Sequence, residues 1–129
     1  MTMDTSSLMR MRVYPAVDDL GTSAHPLNST STAYEASRLA KASAGVLYGF
    51  SGFNSKATSQ FIQVHDAAAL PAEAEVPVIT FQVVGSSPFS MDFGQSGRKF
   101  ANGIVICNSS TGPTKTIGTT DCWFDVQYV

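Results

Sequence analysis

At 129 residues the chain is long enough to bury one core without metal or disulfide staples. A formal charge of −2 gives no electrostatic footprint for nucleic acid or an anionic membrane, and no stretch is long and apolar enough to span a bilayer. Only 14% of the residues are charged, against the usual quarter or so, with Ser, Thr, Ala, Gly and Asn standing in; such a surface favours a protein partly covered by neighbours.

Residues 1–32 carry neither helical nor strand periodicity. Met9, Met11, Val13 and Tyr14 form a short alternating apolar cluster, which Pro15, Gly21 and Pro26 then break. The stretch reads as an extended N-terminal arm that docks on its own domain or on a neighbour. It has no apolar core and no small-residue cleavage site, so it does not read as a secretory signal.

Tyr34 to Ser43 is alanine-rich, and helix propensity there competes with a weak alternation. Its abrupt junction with Gly45 decides for a strand. From Gly45 the β pattern is firm: Val46, Tyr48 and Phe50 alternate with Leu47, Gly49 and Ser51. Gly49 and Gly52 inside this run predict a bulge or a close backbone approach. Ser59 to Asp66 is read as its partner across the polar Asn54–Thr58 turn, with Ile62 and Val64 opposite Gln63 and His65. Ala67 to Pro77, kept out of any central strand by Pro71 and Pro77, is read as a crossing between sheets. Ile79, Phe81 and Val83 face inward on the next strand. Gly85–Pro88 turns it, and Phe89, Met91 and Phe93 alternate on the one after. A glycine-flanked basic loop follows, carrying Arg98 and Lys99.

The strongest β signal is at the end. Gly103 to Cys107 and Asp121 to Tyr128 flank a Ser/Thr/Gly/Pro loop, which predicts a hairpin. In the second run Cys122, Phe124, Val126 and Tyr128 oppose Trp123, Asp125 and Gln127. Cys107 and Cys122 are equidistant from the loop centre, so a symmetric hairpin would place them within disulfide reach. Without an export signal, two reduced, buried thiols are the default. The sum is an all-β chain: an arm over 1–32 and, over 33–129, a seven- to eight-stranded antiparallel sandwich of jelly-roll or Greek-key type.

Candidate chemistry fails on inspection. Gly49–Phe53 lacks the second glycine of a nucleophile elbow and the strand-to-helix turn that it needs. Asp92-Phe93-Gly94 matches a kinase metal-binding tripeptide without any other kinase element. His65 beside Asp66 has no placed nucleophile, and His25 precedes Pro26 in the arm. No catalytic residue, metal or cofactor is expected. Asn28-Ser29-Thr30 and Asn108-Ser109-Ser110 fit the glycosylation pattern but read as polar loops.

Several stretches together resemble a family of small tailed-phage virion-associated proteins. They are Gly45-Val46-Leu47-Tyr48-Gly49 with Ser59 to Asp66, then Phe89 to Gly94, then Gly103 to Ser110 continuing through Lys115-Thr116 to Asp121-Cys122-Trp123-Phe124. The resemblance covers about Ser37 to Tyr128 and carries no catalytic positions. It implies a virion structural protein of the kind that decorates, or cements, phage heads. The expected partner is the major capsid protein, with further copies of this chain, inside a virion assembled in the host cytoplasm. Contacts are expected from Met9, Met11, Val13 and Tyr14 of the arm and from outward Tyr48, Arg98 and Trp123, residue types that dominate interface energetics. The rival reading is a tail or baseplate module involved in tail assembly or in binding host glycans, with Trp123, Asp125 and Gln127 as its platform.

Overall fold

The computed structural model describes residues 26–129. The arm cluster Met9, Met11, Val13 and Tyr14 lies outside the described residues. Those described form nine strands and no helix: β1 (Leu27–Thr30), β2 (Ser37–Lys41), β3 (Gly45–Asn54), β4 (Gln60–His65), β5 (Ile79–Val83), β6 (Ser87–Asp92), β7 (Arg98–Phe100), β8 (Ile104–Ser109) and β9 (Cys122–Tyr128). Leu27–Thr30, assigned above to the arm, is an edge strand.

The strands make two antiparallel sheets. Sheet one runs β1-β9-β3-β6, with β7 also on β3; sheet two runs β2-β8-β4-β5. β3 is the longest strand and organises sheet one. β9 lies along one side of it, while β6 pairs with Gly49–Asn54 and β7 with Gly45–Leu47 on the other. The turn between β6 and β7 depends on Gly94 and Gly97, both at positive φ (77° and 68°), a conformation that costs glycine nothing. The register slips between Gln127 and Tyr128 opposite Gly49 and Leu47, so the predicted bulge is present. Gly52 supplies the predicted close approach: a Cβ there would collide with the Phe89 ring and the Trp123 carbonyl.

Pairing differs from the sequence expectation in three places. β8 and β9 are not a hairpin; they belong to different sheets, and the Ser110–Asp121 loop carries the chain across. β3 and β4 likewise lie in opposite sheets, so the Asn54–Thr58 turn is a crossing. The long Ala67–Pro77 connection, read as a crossing, instead returns to its own sheet, because β4 and β5 pair directly. The physical reason is common to all three. Neither a polar turn nor a long proline-bounded connection distinguishes a return to the same sheet from a crossing, and alternation says which face is buried without saying against which neighbour.

The two sheets share one core in a sandwich-like arrangement. Leu47, Phe50, Phe89, Phe124 and Val126 of sheet one pack with Ile62, Val64, Val83, Ile104 and Ile106 of sheet two. The Phe50 and Phe81 rings, from opposite sheets, stack with centroids 6.2 Å apart, and Phe89 tilts against Phe124 at 6.0 Å. One end of this interior is polar. Gln60 Nε2 donates to Asn54 Oδ1 at 2.6 Å, and Asn54 Nδ2 donates to the carbonyls of Thr58 and Val84 at 3.3 and 3.1 Å. Asn54 thereby satisfies carbonyls beside two separate crossings. Asn108 is fully buried at this end, which removes it as a glycosylation acceptor in the folded chain.

Cys122 faces the core and Cys107 the other side of sheet two; both are free and buried. Burial raises the Cys122 thiol to about 11, with the Asn108 hydrogen bond opposing the rise and Asp121 adding to it. Native protein treated with a thiol oxidant therefore keeps two titratable thiols after denaturation, counted by Ellman's reagent. A Cys107–Cys122 crosslink in the peptide map would contradict the two-sheet assignment.

Candidate functional site

Two stacked sheets have two outer faces, and this chain treats them differently. The outer face of sheet two carries Val105 and Cys107, both fully buried, along with Gln63 and His65. The cover is made by the loops on either side, residues 66–78 and 110–121. They join each other through Ala74 N–H to the Lys115 carbonyl (2.8 Å) and Lys115 N–H to the Glu75 carbonyl (2.7 Å). Gln63 fastens the second loop to the sheet: its side-chain Nε2 lies 2.9, 3.1 and 3.0 Å from the carbonyls of Thr111, Gly112 and Thr114. His65 Nε2 meets Gln63 Oε1 at 3.0 Å and fixes the amide's orientation. Lys115, 2% exposed, reaches beneath the loop to donate to the Asn108 carbonyl at 3.3 Å.

These groups are structural in their placement. Burial pushes the His65 imidazole below its ordinary value, the Lys115 ammonium lowers it further, and Glu75 opposes. Burial raises the Cys107 thiol, against the Lys115 charge and hydrogen bond. Asp66 points away from His65. Its slight burial would raise the carboxyl, but the backbone N–H groups of Asn102, Ala101 and Gly103 outweigh this and hold it below the usual range. The His65–Asp66 dyad is therefore split between two tasks. Ser51, in the Gly49–Phe53 stretch, lies in mid-strand of β3, and Asp92 Oδ1 accepts from Gly94 N–H at 2.8 Å to close the β6–β7 turn. No group of three or more His, Cys, Asp or Glu converges among the described residues.

Among the described residues the outer face of sheet one has no such loop layer over it, and it is the candidate site. Strand register lays its residues out in rows. Trp123 pairs with Phe53 and Phe53 with Pro88; Asp125 lies between Thr30 and Ser51, with Ser90 beyond; Gln127 lies between Asn28 and Gly49, with Asp92 beyond. Asn28, Thr30 and Gln127 all donate to Asp125 Oδ1, at 3.1, 2.9 and 3.4 Å. Each end of the β9 row Trp123–Asp125–Gln127 opens on a depression. At the Gln127 end a groove of about 650 Å³ is lined by Tyr48, Gly49, Ser51, Asp92 and Gln95, with Pro26 at its margin. At the Trp123 end a smaller hollow of about 200 Å³ is formed with Ser31, Thr32, Ala33 and Tyr34.

The structure thus brings Tyr48 and Trp123 onto one face. Arg98 lines neither depression; its guanidinium sits 5.7 Å from the Phe100 ring centroid at the β7 edge. Sequence reasoning missed Tyr34 and Asp92 as neighbours of this face. Tyr34 lies in the irregular segment between β1 and β2, where no periodicity points to Trp123. A comparison of the chain with protein-family models, with curated proteins and with solved structures finds no match.

Two measurements check the covered side. Gln63→Leu removes the side-chain donor to the Gly112 carbonyl and leaves those of Thr111 and Thr114 to the hydroxyls of Ser109 and Thr111, and is expected to cost about 1–3 kcal/mol in urea denaturation. Burial makes the folded His65 harder to protonate than the unfolded one, which takes up its proton near pH 6.5. Its contribution is therefore complete above about pH 6.5 and is lost as pH falls below it. His65→Gln should flatten that part of the stability–pH curve and leave the more acidic limb, where Asp66 titrates, unchanged.

Proposed function

We propose that the chain is a tailed-phage virion structural protein, a decoration or cement protein that holds to the head shell by protein–protein contacts and performs no catalysis. The observation that carries this reading is exposed apolar surface on opposite sides of the molecule. Leu70, Val76 and Ile117 stand out from the loops over sheet two at 59%, 72% and 57% exposure, while Tyr34 and Trp123 stand out beside sheet one. Surface of that kind marks a contact site on each side, for a protein or for another ligand. The low charge fraction and the resemblance to small virion proteins support the same reading.

Strand order supports a finer description. β1-β9-β3-β6 facing β2-β8-β4-β5 is the order of a jelly roll, with β6 and β7 sharing one strand's place. That architecture recurs in viral capsid and lectin domains, which is an analogy of fold and not of site. Groups able to do chemistry elsewhere are engaged inside the fold: His65 with Gln63, Asp66 with backbone N–H groups, and both thiols pushed up by burial.

A single shell surface covers only one side. We assign the shell contact to the loop layer, because Leu70, Val76 and Ile117 are aliphatic and suit a dry interface with the major capsid protein and adjacent copies. Tyr48 and Trp123, expected above as shell contacts, then face away from the shell. The test is co-sedimentation with purified heads of the parent phage lacking this protein. Wild type should bind at near-capsid stoichiometry, and Val76→Lys/Ile117→Lys, folded by circular dichroism, should stay in the supernatant. Recovery of wild type on isolated tails and not on heads would overturn the cement reading; undiminished binding by the double variant would overturn the loop-layer contact.

A further inference from the structure

We propose that the outer face of sheet one is a binding site for a neutral oligosaccharide, gripped by aromatic rings at its two ends and by carboxylate, amide and hydroxyl groups between. The inference goes beyond shell attachment and does not depend on it.

The ligand class follows from what the face carries. Sugar rings present an apolar face of C–H groups and a rim of hydroxyls, so a site for them combines exposed aromatic rings with acceptors and donors at short spacing. Here Tyr48 lines the larger groove and Trp123 with Tyr34 the smaller hollow. Trp123 to Gln127 is four residues of β9, or roughly 13 Å of strand, long enough for several linked sugar rings to lie along it. Between the two ends lie Asp125 and Ser51, cross-strand neighbours. All three donors to Asp125 converge on Oδ1, and Asp92 uses Oδ1 for its turn, so in each carboxylate Oδ2 has no partner among the described residues. A carboxylate with one oxygen anchored and the other open is a positioned acceptor for a hydroxyl.

Charge excludes the obvious alternatives. Among the described residues neither depression is lined by Lys or Arg, while Asp92 lines the groove and Asp125 stands between the two hollows. Phosphate, sulfate, sialic acid or uronic acid would meet this negative charge with no counter-charge from the described residues of the lining. A flat hydrophobic protein partner would bury both open carboxylate oxygens unpaired, which is costly. A neutral polyhydroxyl chain pairs with them. Gly49 keeps the groove floor at backbone level, since a Cβ there would crowd the Met91 carbonyl at 2.8 Å.

The test is a glycan array probed with the full chain, carrying neutral, sialylated, uronate and phosphorylated oligosaccharides, followed by calorimetric titration of the best neutral hit. Expected are hits confined to neutral glycans, and a loss of roughly tenfold or more in affinity for each of Trp123→Ala, Tyr48→Ala and Asp92→Ala. Ser51→Arg, a surface change on the lane between the hollows, should abolish binding while leaving the urea midpoint unchanged. This separates a lost site from a lost fold. No glycan bound, hits dominated by anionic glycans, or affinity unchanged in Ser51→Arg would each overturn the proposal. Head co-sedimentation of Ser51→Arg should equal wild type, so failure of this site and failure of shell attachment are read separately.

Discussion

The side-chain amide of Gln63 is the constraint on which the shape of this protein depends. Two sheets with no helix among the described residues need cover for any apolar outer face, and sheet two carries Val105 and Cys107 there, fully buried. They stay dry only if the 110–121 loop lies flat against the sheet. One amide lying within hydrogen-bond distance of three loop carbonyls, held in orientation by His65, keeps it there. With that loop in place its partner, residues 66–78, gains a strand-like edge to pair with, and Lys115 is sealed beneath both. A layer of irregular chain thus performs the covering that a helix performs in other folds.

The asymmetry that follows is chemical in kind. One side of the molecule is a closed layer whose projecting residues are aliphatic; the other is an open pleated surface of rings, carboxylates and hydroxyls. As proposed above, the first is matched to a dry contact with another protein and the second to a hydrated ligand. Nothing in the core needs to differ for the two sides to differ, because every strand of sheet one presents alternate residues inward and outward. Phe124 and Val126 build the interior while Trp123, Asp125 and Gln127, interleaved with them, build the surface.

Face assignment was legible in the sequence and pairing was not. Alternation placed Phe124, Val126, Ile62 and Val64 on one face and Trp123 outside, and the glycines at 49 and 52 marked a bulge and a close backbone approach that both exist. The hairpin over residues 103–128 failed because alternating runs with a polar loop between them look alike whether they pair or stack. The groove escaped notice because its walls, Tyr48, Asp92 and Gln127, come from three strands whose adjacency is a matter of sheet order. Gln63 and Lys115 gave no signal at all: a glutamine opposite valines reads as solvent-facing, and a lysine in a Ser/Thr loop reads as exposed, until a loop is known to lie over them.

Strand order also sets how the molecule comes together in time. β9 is last of the described strands, yet it sits between β1 and β3, and its Asp125 accepts hydrogen bonds from residues 97 and 95 positions earlier. β3 can recruit β6 and β7 beforehand, but its other edge and the apolar side of Phe50 and Leu47 stay open until β9 arrives. Closure is therefore a late, non-local event, the kind that makes β proteins slow to fold and leaves sticky intermediates on the way. Until β9 has been made and docked, the central seam of this protein stays unzipped.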